Sequence, residues 1–336
     1  MRILRGLKSL PVPDREKGCV ATVGVFDGVH LGHFHVLRKV VARAKELGAV
    51  PTMVTFAGHP KSLLVGHAPQ TITSLEHRLV LFERAGIETT VVLEFTPELR
   101  KWEAEEFVEE VLIRGLGLKE LVFGFDSKFG KGRGGTPESL GPLAKAHGFT
   151  VNEVPAFLLN RHPVSSTAVR ESVGIGDLKR ATEMLGRPVS VLGSVHHGEK
   201  RGREIGFPTA NLNPHHELRP PKGVYAALTF RRDALLPAIV NIGDRPTFDG
   251  TDVLIEVHLL DFEEDIYGEV LEVFFLEFLR DELEFSDADA LAEQITLDVS
   301  QARKICQRAH QDWRIPGEFL PIEGQTCYSF APETGG

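Results

Sequence analysis

The sequence predicts an α/β protein in two parts: a parallel sheet flanked by helices, then an antiparallel sheet or small barrel followed by a C-terminal helix. Three observations predict it. The first half alternates short apolar runs with helical stretches, which is how strands joined by crossover helices read. From about Pro188 the helical period gives way to short β-rich runs broken by turns. At 336 residues the chain is long for one core and comfortable for two.

Taken in order, Val20 to Phe26 reads as a buried strand. Leu31, Phe34, Leu37, Val40, Val41, Ala44 and Leu47 then mark one face of a helix. Val50 to Phe56 is the next strand, Ser74 to Ala85 the next helix and Thr90 to Phe95 the next strand. A helix around Trp102 to Arg114 precedes a strand at Leu121 to Phe125. Thr136-Pro137-Glu138 has the hydroxyl and proline of a helix start. Such a parallel sheet is covered on both faces, and its ligands sit beyond the carboxyl ends of its strands.

In the second half Val189–His196, Gly223–Phe230, Pro237–Ile242, Val253–Leu260 and Val270–Phe278 are the expected strands of an antiparallel sheet or small barrel. A final helix, roughly Asp287 to His310, carries Leu291, Ile295, Leu297, Val299 and Ile305. The boundary is expected at Gly186-Arg187-Pro188. That makes domains of 1–186 and 187–312, with a tail over 313–336 to which no role is assigned.

Composition excludes several classes. A net charge of −9 argues against a nucleic-acid binder, which needs a basic face to neutralise phosphates. It leaves room for a nucleotide substrate, since one pocket can be basic on an acidic protein. Cys19, Cys306 and Cys327 are too few and scattered for a disulfide framework or a cysteine zinc site. Met1 to Leu10 lacks an apolar leader core, and no run nears the ~18 apolar residues of a membrane span. The expectation is a soluble cytoplasmic protein with no membrane partner and an undetermined oligomeric state.

Two stretches carry chemistry. Gly24-Val25-Phe26-Asp27-Gly28-Val29-His30-Leu31-Gly32-His33 joins the first strand to the first helix. Glycines permit a sharp turn, and the helix N-terminus offers free N–H groups and positive potential. His30 and His33 stand one turn apart, where both imidazoles can address an anion. A metal site and a helix start with incidental histidines remain open alternatives by spacing alone.

In the second stretch, Gly193 to Leu212, glycines 198, 202 and 206 expose backbone amides suited to phosphates. Thr209 and Asn211 lie two apart, so on an extended segment they face one way. A hydroxyl and an amide oxygen pointing together suit a partly hydrated Mg²⁺ on ATP phosphates. A polar β-edge with a proline bend is the competing reading.

The first stretch resembles the signature of the nucleotidyltransferase superfamily whose H-x-G-H motif binds ATP phosphates. In its longer form it is similar to the adenylyltransferase half of bacterial bifunctional riboflavin kinase/FAD synthetases. Thr55 to Pro60, Gly124 to Gly130 and Ser165 to Arg170 match further motifs of that family in order. Gly193 to Leu212 resembles the riboflavin kinase signature, and Pro221–Ala226, Asn241–Phe248, Ile255–Phe262 and Asp265–Gly268 agree with it. The match covers about residues 18 to 310.

The resemblance implies a Rossmann-like nucleotidyltransferase domain and a riboflavin kinase barrel, with riboflavin, FMN and ATP as substrates, FAD as product and Mg²⁺ accompanying ATP. It implies phosphate contacts at Gly24, Phe26, Asp27, Gly28, Ser165, Ser166, Thr167, Gly198, Gly202 and Gly206, with His30, His33 and Arg170 stabilising the departing pyrophosphate. It implies flavin or nucleotide contacts at His59, Pro60, Asp126, Asn241 and Arg245. Thr209 and Asn211 are the implied metal ligands, and Glu256 the base for the ribityl hydroxyl. Gly58 and Ser127 depart from the pattern, standing where a proline and an aromatic residue are usual. A kinase with a degraded first domain, and a flavin-binding module without turnover, are the rival readings. Lys131 to Gly135 is basic and glycine-rich but lacks the G-K-[ST] of a Walker loop, leaving a surface turn or a nucleotide flap.

Overall fold

All five residues of Cys19–Val23 are buried, and this strand lies at the centre of a parallel sheet in the computed structural model of the chain. The structure describes residues 1–11, 17–58, 70–197, 205–214, 218–232, 234–247, 250–311 and 313. Contacts group them into two units. One contains Met1–Thr71 and Arg78–Ser166; the other runs from Thr167 onward and takes in Ile72–His77.

The first unit is built on strands β1 (Arg2–Arg5), β2 (Cys19–Val23), β3 (Val50–Phe56), β4 (Thr89–Leu93), β5 (Leu118–Gly124) and β6 (Thr150–Val154). They run parallel in the order β1-β4-β3-β2-β5-β6. The order reverses between β2 and β5, and the crevice at such a switch point is where ligands of open parallel sheets bind. Helix α1 (Leu31–Leu47) follows β2 and buries Phe34, Leu37, Val40 and Ala44 of the predicted stripe. Helix α2 (Leu75–Arg84) precedes β4. Helix α3 (Ala104–Phe107) continues over Val108–Arg114 as a π-helix, which the sequence pattern did not distinguish from an α-helix.

Two expectations for this unit need correction. The first strand ends at Val23 rather than Phe26, because Gly24 to Val29 forms the turn described below. Thr136 starts a capped turn and not a helix: Ser139 N–H donates to its hydroxyl, and Thr136 N–H donates to the Ser139 hydroxyl. Helix α4 (Gly141–His147) begins one turn later, with Pro142 in its first turn. A short hairpin, β7 (Leu158–Leu159) with β8 (His162–Pro163), precedes α5 (Ser166–Gly174) and α6 (Leu178–Leu185).

In the second unit, β9 (Val189–His196), β10 (Ala210–Pro214), β11 (Gly223–Arg231), β12 (Ala234–Thr247), β13 (Gly250–Leu259) and β14 (Val270–Arg280) close an antiparallel barrel. Its circular order is β10-β13-β12-β11-β14-β9. Ala210, Val257, Val240 and Tyr225 are cross-strand partners, all buried, and form one layer of the interior. The residues one step away face outward. There Val224, Ala226 and Ile239 pack against Ala302 and Ile305 of α7 (Ala288–Gln311).

Leu297, expected on the apolar stripe of this last helix, is 65% exposed, whereas its neighbour Asp298 is buried. The reason is Arg280, whose guanidinium pairs with Asp298 at 2.8 Å and keeps the carboxylate satisfied out of water. Among the described residues no helix is long and apolar enough to cross a membrane.

Candidate active sites

In the first unit the turn from β2 to α1 is strained where it must be tight. Phe26 and Val29 adopt φ of 53° and 38°, and Gly28 adopts 79°. Positive φ costs a non-glycine residue about 1–3 kcal/mol, so the fold must impose it. Buried Arg78 on α2 does part of this: Nη1 donates to the Val25 carbonyl at 2.6 Å and to Thr55 Oγ1 at 3.1 Å, and Nη2 to the Phe56 carbonyl. The Ser166 hydroxyl braces the same turn, donating to the Asp27 carbonyl at 2.8 Å.

The turn delivers a stack of three rings. Phe26 lies on His33 at 4.5 Å between centroids, and His33 lies on His30 at 3.7 Å. Two glycines leave room for it. A Cβ on Gly24 would stand 2.8 Å from the Phe26 ring, and one on Gly32 would stand 3.2 Å from the His30 ring. His30 is also the N-cap of α1, its Nδ1 accepting the His33 N–H at 3.4 Å. An accepting Nδ1 places the proton of the neutral ring on Nε2, which makes Nε2 a donor. Two imidazoles and the open N-terminus of a 17-residue helix thus converge at the switch point.

Other predicted residues of this region fall less centrally. Asp126 lies in the turn after β5, is largely exposed and pairs with Arg133 at 3.7 Å. Lys131 of the basic loop pairs with Glu103, so both loop cations are engaged by carboxylates. Ser165 immediately precedes α5; Thr167 and Arg170 stand on it and group with the second unit. His59 and Pro60 lie outside the described residues.

The structure adds an aromatic recess that the motifs did not reveal. Phe56 at the end of β3, Phe95 after β4 and Phe129 after β5 line it with Trp102, Phe107 and Arg100. Phe129 is held flat by stacking on Phe123, with planes 15° apart. The other rings stand at steep angles, Phe95 at 89° to Phe56 and Phe107 at 55° to Phe129, so the recess is aromatic with one cation, Arg100, among its lining residues. The only trace in sequence was aromatic residues just past strand ends.

In the second unit the barrel register assembles the other site. Glu256 on β13 is the cross-strand partner of Asn211 on β10 and of Asn241 on β12. Partners share a face and sit about 5 Å apart, so the carboxylate stands between two carboxamides on the outer wall. His196 extends the row as the partner of Asn211. Thr209, just before β10, donates its hydroxyl to Glu256 Oε1 at 3.5 Å. Gly206 adopts a φ of 86° in the turn leading to it.

Gly198 and Gly202 lie outside the described residues, as does the side chain of Arg245, whose backbone runs in β12. A residue not foreseen is Glu282, which packs over Gly243 beside Asn241, so close that a Cβ there would collide with its carboxylate. The donors Thr209 and Asn211 are hard oxygens adjoining one carboxylate, and no group of three or more His, Cys, Asp or Glu able to hold a metal occurs among the described residues. That set fits Mg²⁺, which takes one or two protein oxygens and completes its shell with phosphates and water.

A two-imidazole helix terminus at a switch point and a carboxylate flanked by carboxamides on a barrel wall suit a nucleotide-dependent transferase with two centres. The family models for FAD synthetase and riboflavin kinase match residues 12–168 and 185–306. A Haemophilus influenzae bifunctional riboflavin kinase/FMN adenylyltransferase is 38% identical over 306 residues, covering 90% of this chain and 98% of that protein. A Pseudomonas fluorescens protein of the same description is 37% identical, covering 91% of this chain and 98% of that one. A solved Streptococcus pneumoniae structure, described as a macrolide-efflux protein, superposes with a TM-score of 0.75 at 30% identity, covering 94% of this chain and all of that one. The chain belongs to the bifunctional riboflavin kinase/FMN adenylyltransferase family.

Proposed function

We propose that the outer wall of the barrel phosphorylates riboflavin at Glu256 and that the histidine turn of the parallel sheet adenylylates FMN. The chain is a bifunctional riboflavin kinase and FMN adenylyltransferase. Riboflavin and ATP give FMN and ADP; FMN and a second ATP give FAD and pyrophosphate.

For the kinase step, Glu256 accepts the proton of the ribityl 5′-hydroxyl as its oxygen attacks the γ-phosphorus of ATP. Asn241 orients the flavin side of the row, and Arg245, Gly198, Gly202 and Gly206 complete the substrate contacts. Thr209 and Asn211 would hold Mg²⁺, which would supply charge neutralisation on the phosphates. The observation supporting this assignment is the register that sets Glu256 between Asn211 and Asn241 within reach of Thr209.

For the adenylyl step, an FMN phosphate oxygen attacks the α-phosphorus, and the bond to the pyrophosphate oxygen breaks in line. His30 Nε2–H, the His33 ring and the amides of the α1 N-terminus stabilise the charge that gathers on the pyrophosphate. Gly24, Phe26, Asp27, Gly28, Ser165 and Ser166 shape the phosphate pocket. His59, Pro60 and Asp126 contact flavin or nucleotide, and the recess of Phe95, Trp102 and Phe129 takes the isoalloxazine ring.

Residues 1–186 carry adenylylation and residues 187–312 phosphorylation in this scheme, with no role given to 313–336. Buried free thiols at Cys19 and Cys306 accord with a cytoplasmic setting.

The test measures each half-reaction alone. With Glu256→Gln, FMN formation from riboflavin falls about a hundred- to ten-thousandfold, while FAD formation from supplied FMN persists. Equal loss of both, or loss of neither, overturns the assignment. Wild-type protein that releases no pyrophosphate from FMN and ATP overturns adenylylation at the first centre.

A further inference from the structure

His258 stands two residues beyond Glu256 on the same face of β13, and its contacts lie on the segment that leads into Thr209. Its Nδ1 is 2.8 Å from the Pro208 carbonyl oxygen. A carbonyl only accepts, so Nδ1 carries the proton and donates. The same ring meets Phe207 edge-on, with centroids 5.6 Å apart and planes at 78°. His258 therefore grips both residues before Thr209, one through a hydrogen bond and one through ring packing.

The consequence follows from where β10 begins. Asn211 is fixed by the barrel itself, being paired with His196 on one side and Glu256 on the other. Thr209 precedes the first paired residue, Ala210, and has no such ladder position. The Pro208 carbonyl belongs to the peptide plane that ends at the Thr209 nitrogen. Holding that oxygen sets the plane, the Thr209 Cα and hence the hydroxyl that lies 3.5 Å from Glu256.

We propose that His258 is a positioning residue for the magnesium–nucleotide site, clamping the Phe207–Pro208 segment so that the Thr209 hydroxyl lines up with Asn211. The proposal rests on the reading that Thr209 and Asn211 hold Mg²⁺ with ATP. It gives the histidine of the Glu-x-His strand a task distinct from that of the glutamate.

Two variants of the full chain separate the ring from the donor. His258→Phe keeps a ring against Phe207 and removes the N–H; His258→Asn keeps an N–H near the Nδ1 position and removes the ring. In His258→Phe, KM for MgATP and the Mg²⁺ concentration for half-maximal riboflavin phosphorylation rise about three- to tenfold, the range of one lost hydrogen bond. KM for riboflavin changes less than about twofold, and His258→Asn regains most of the loss.

Hydrogen–deuterium exchange over residues 205–214 provides a readout independent of turnover. Exchange accelerates in His258→Phe and not in His258→Asn. Unchanged exchange in His258→Phe overturns the clamp. Accelerated exchange with wild-type Mg²⁺ and ATP dependence overturns the cation site at Thr209 and Asn211, and the positioning role with it. Equal rises in KM for riboflavin and MgATP, or no recovery with asparagine, overturn the proposal as well.

Discussion

His30 and His33 stack ring on ring at 3.7 Å, and the upper ring also caps the helix on which the lower one stands. Under the proposed mechanism stability and catalysis meet in one imidazole, and they can be separated. Asparagine is a good N-cap, so His30→Asn retains an acceptor for the His33 N–H. It keeps the melting temperature within about 2 °C of wild type while FMN adenylylation falls about tenfold or more. His30→Ala loses both, with about 1 kcal/mol from the missing cap. Calorimetry and pyrophosphate release measure the two effects.

Gly24 gives the Phe26 ring its place, with 2.8 Å between that ring and an added Cβ. Gly24→Ala displaces the first member of the ring stack. We expect a loss of about 1–3 kcal/mol in urea unfolding and slower FMN adenylylation, with riboflavin phosphorylation retained.

Trp102 lines the aromatic recess but is only half-buried, so shortening it spares most of the core. Trp102→Leu raises KM for FMN in adenylylation about three- to tenfold and leaves KM for riboflavin in phosphorylation unchanged. Steady-state kinetics of the separate half-reactions test this.

Glu120 on β5 is fully buried, and Arg43, Thr150 and Asn152 all donate to it. Burial pushes its carboxyl up, but the Arg43 guanidinium with Asn152 and Thr150 outweighs burial and holds it below the usual range. A depressed folded value means that ionised Glu120 adds stability above the ordinary carboxylate range, and that this stability is lost as pH falls through the folded value. Glu120→Gln is less stable than wild type by about 1–3 kcal/mol at pH 7, and the gap narrows on acidification below about pH 4. Urea unfolding at a series of pH values checks both the size and the sign.

Periodic elements were legible because their signal is local. The stripe from Phe34 to Ala44 and the apolar run from Val20 to Val23 each bury one continuous surface. What escaped depends on distant partners. Arg2–Arg5 becomes an edge strand only by pairing with Thr89–Val92, and Asp298 is buried only because Arg280 reaches it. The histidine turn was legible as a motif, yet its ring stack depends on positive φ at Phe26 and Val29, which no side chain announces. Glu256, Asn211 and Asn241 were each visible in a motif, whereas their adjacency is a matter of register. Arg78 looks like any surface cation on a helix until its carbonyl partners at Val25 and Phe56 are known.

The barrel wall divides labour at single-residue resolution. Along β10, β12 and β13, Ala210, Val240 and Val257 fill the interior, while their immediate neighbours Asn211, Asn241 and Glu256 look outward. Inserting or deleting one residue in any of these strands would bring polar groups into the oily plug and expel an aliphatic one in the same stroke. Drift in this half of the protein is therefore channelled into exchanges of one side chain for another, with changes of length confined to the bends that join the strands.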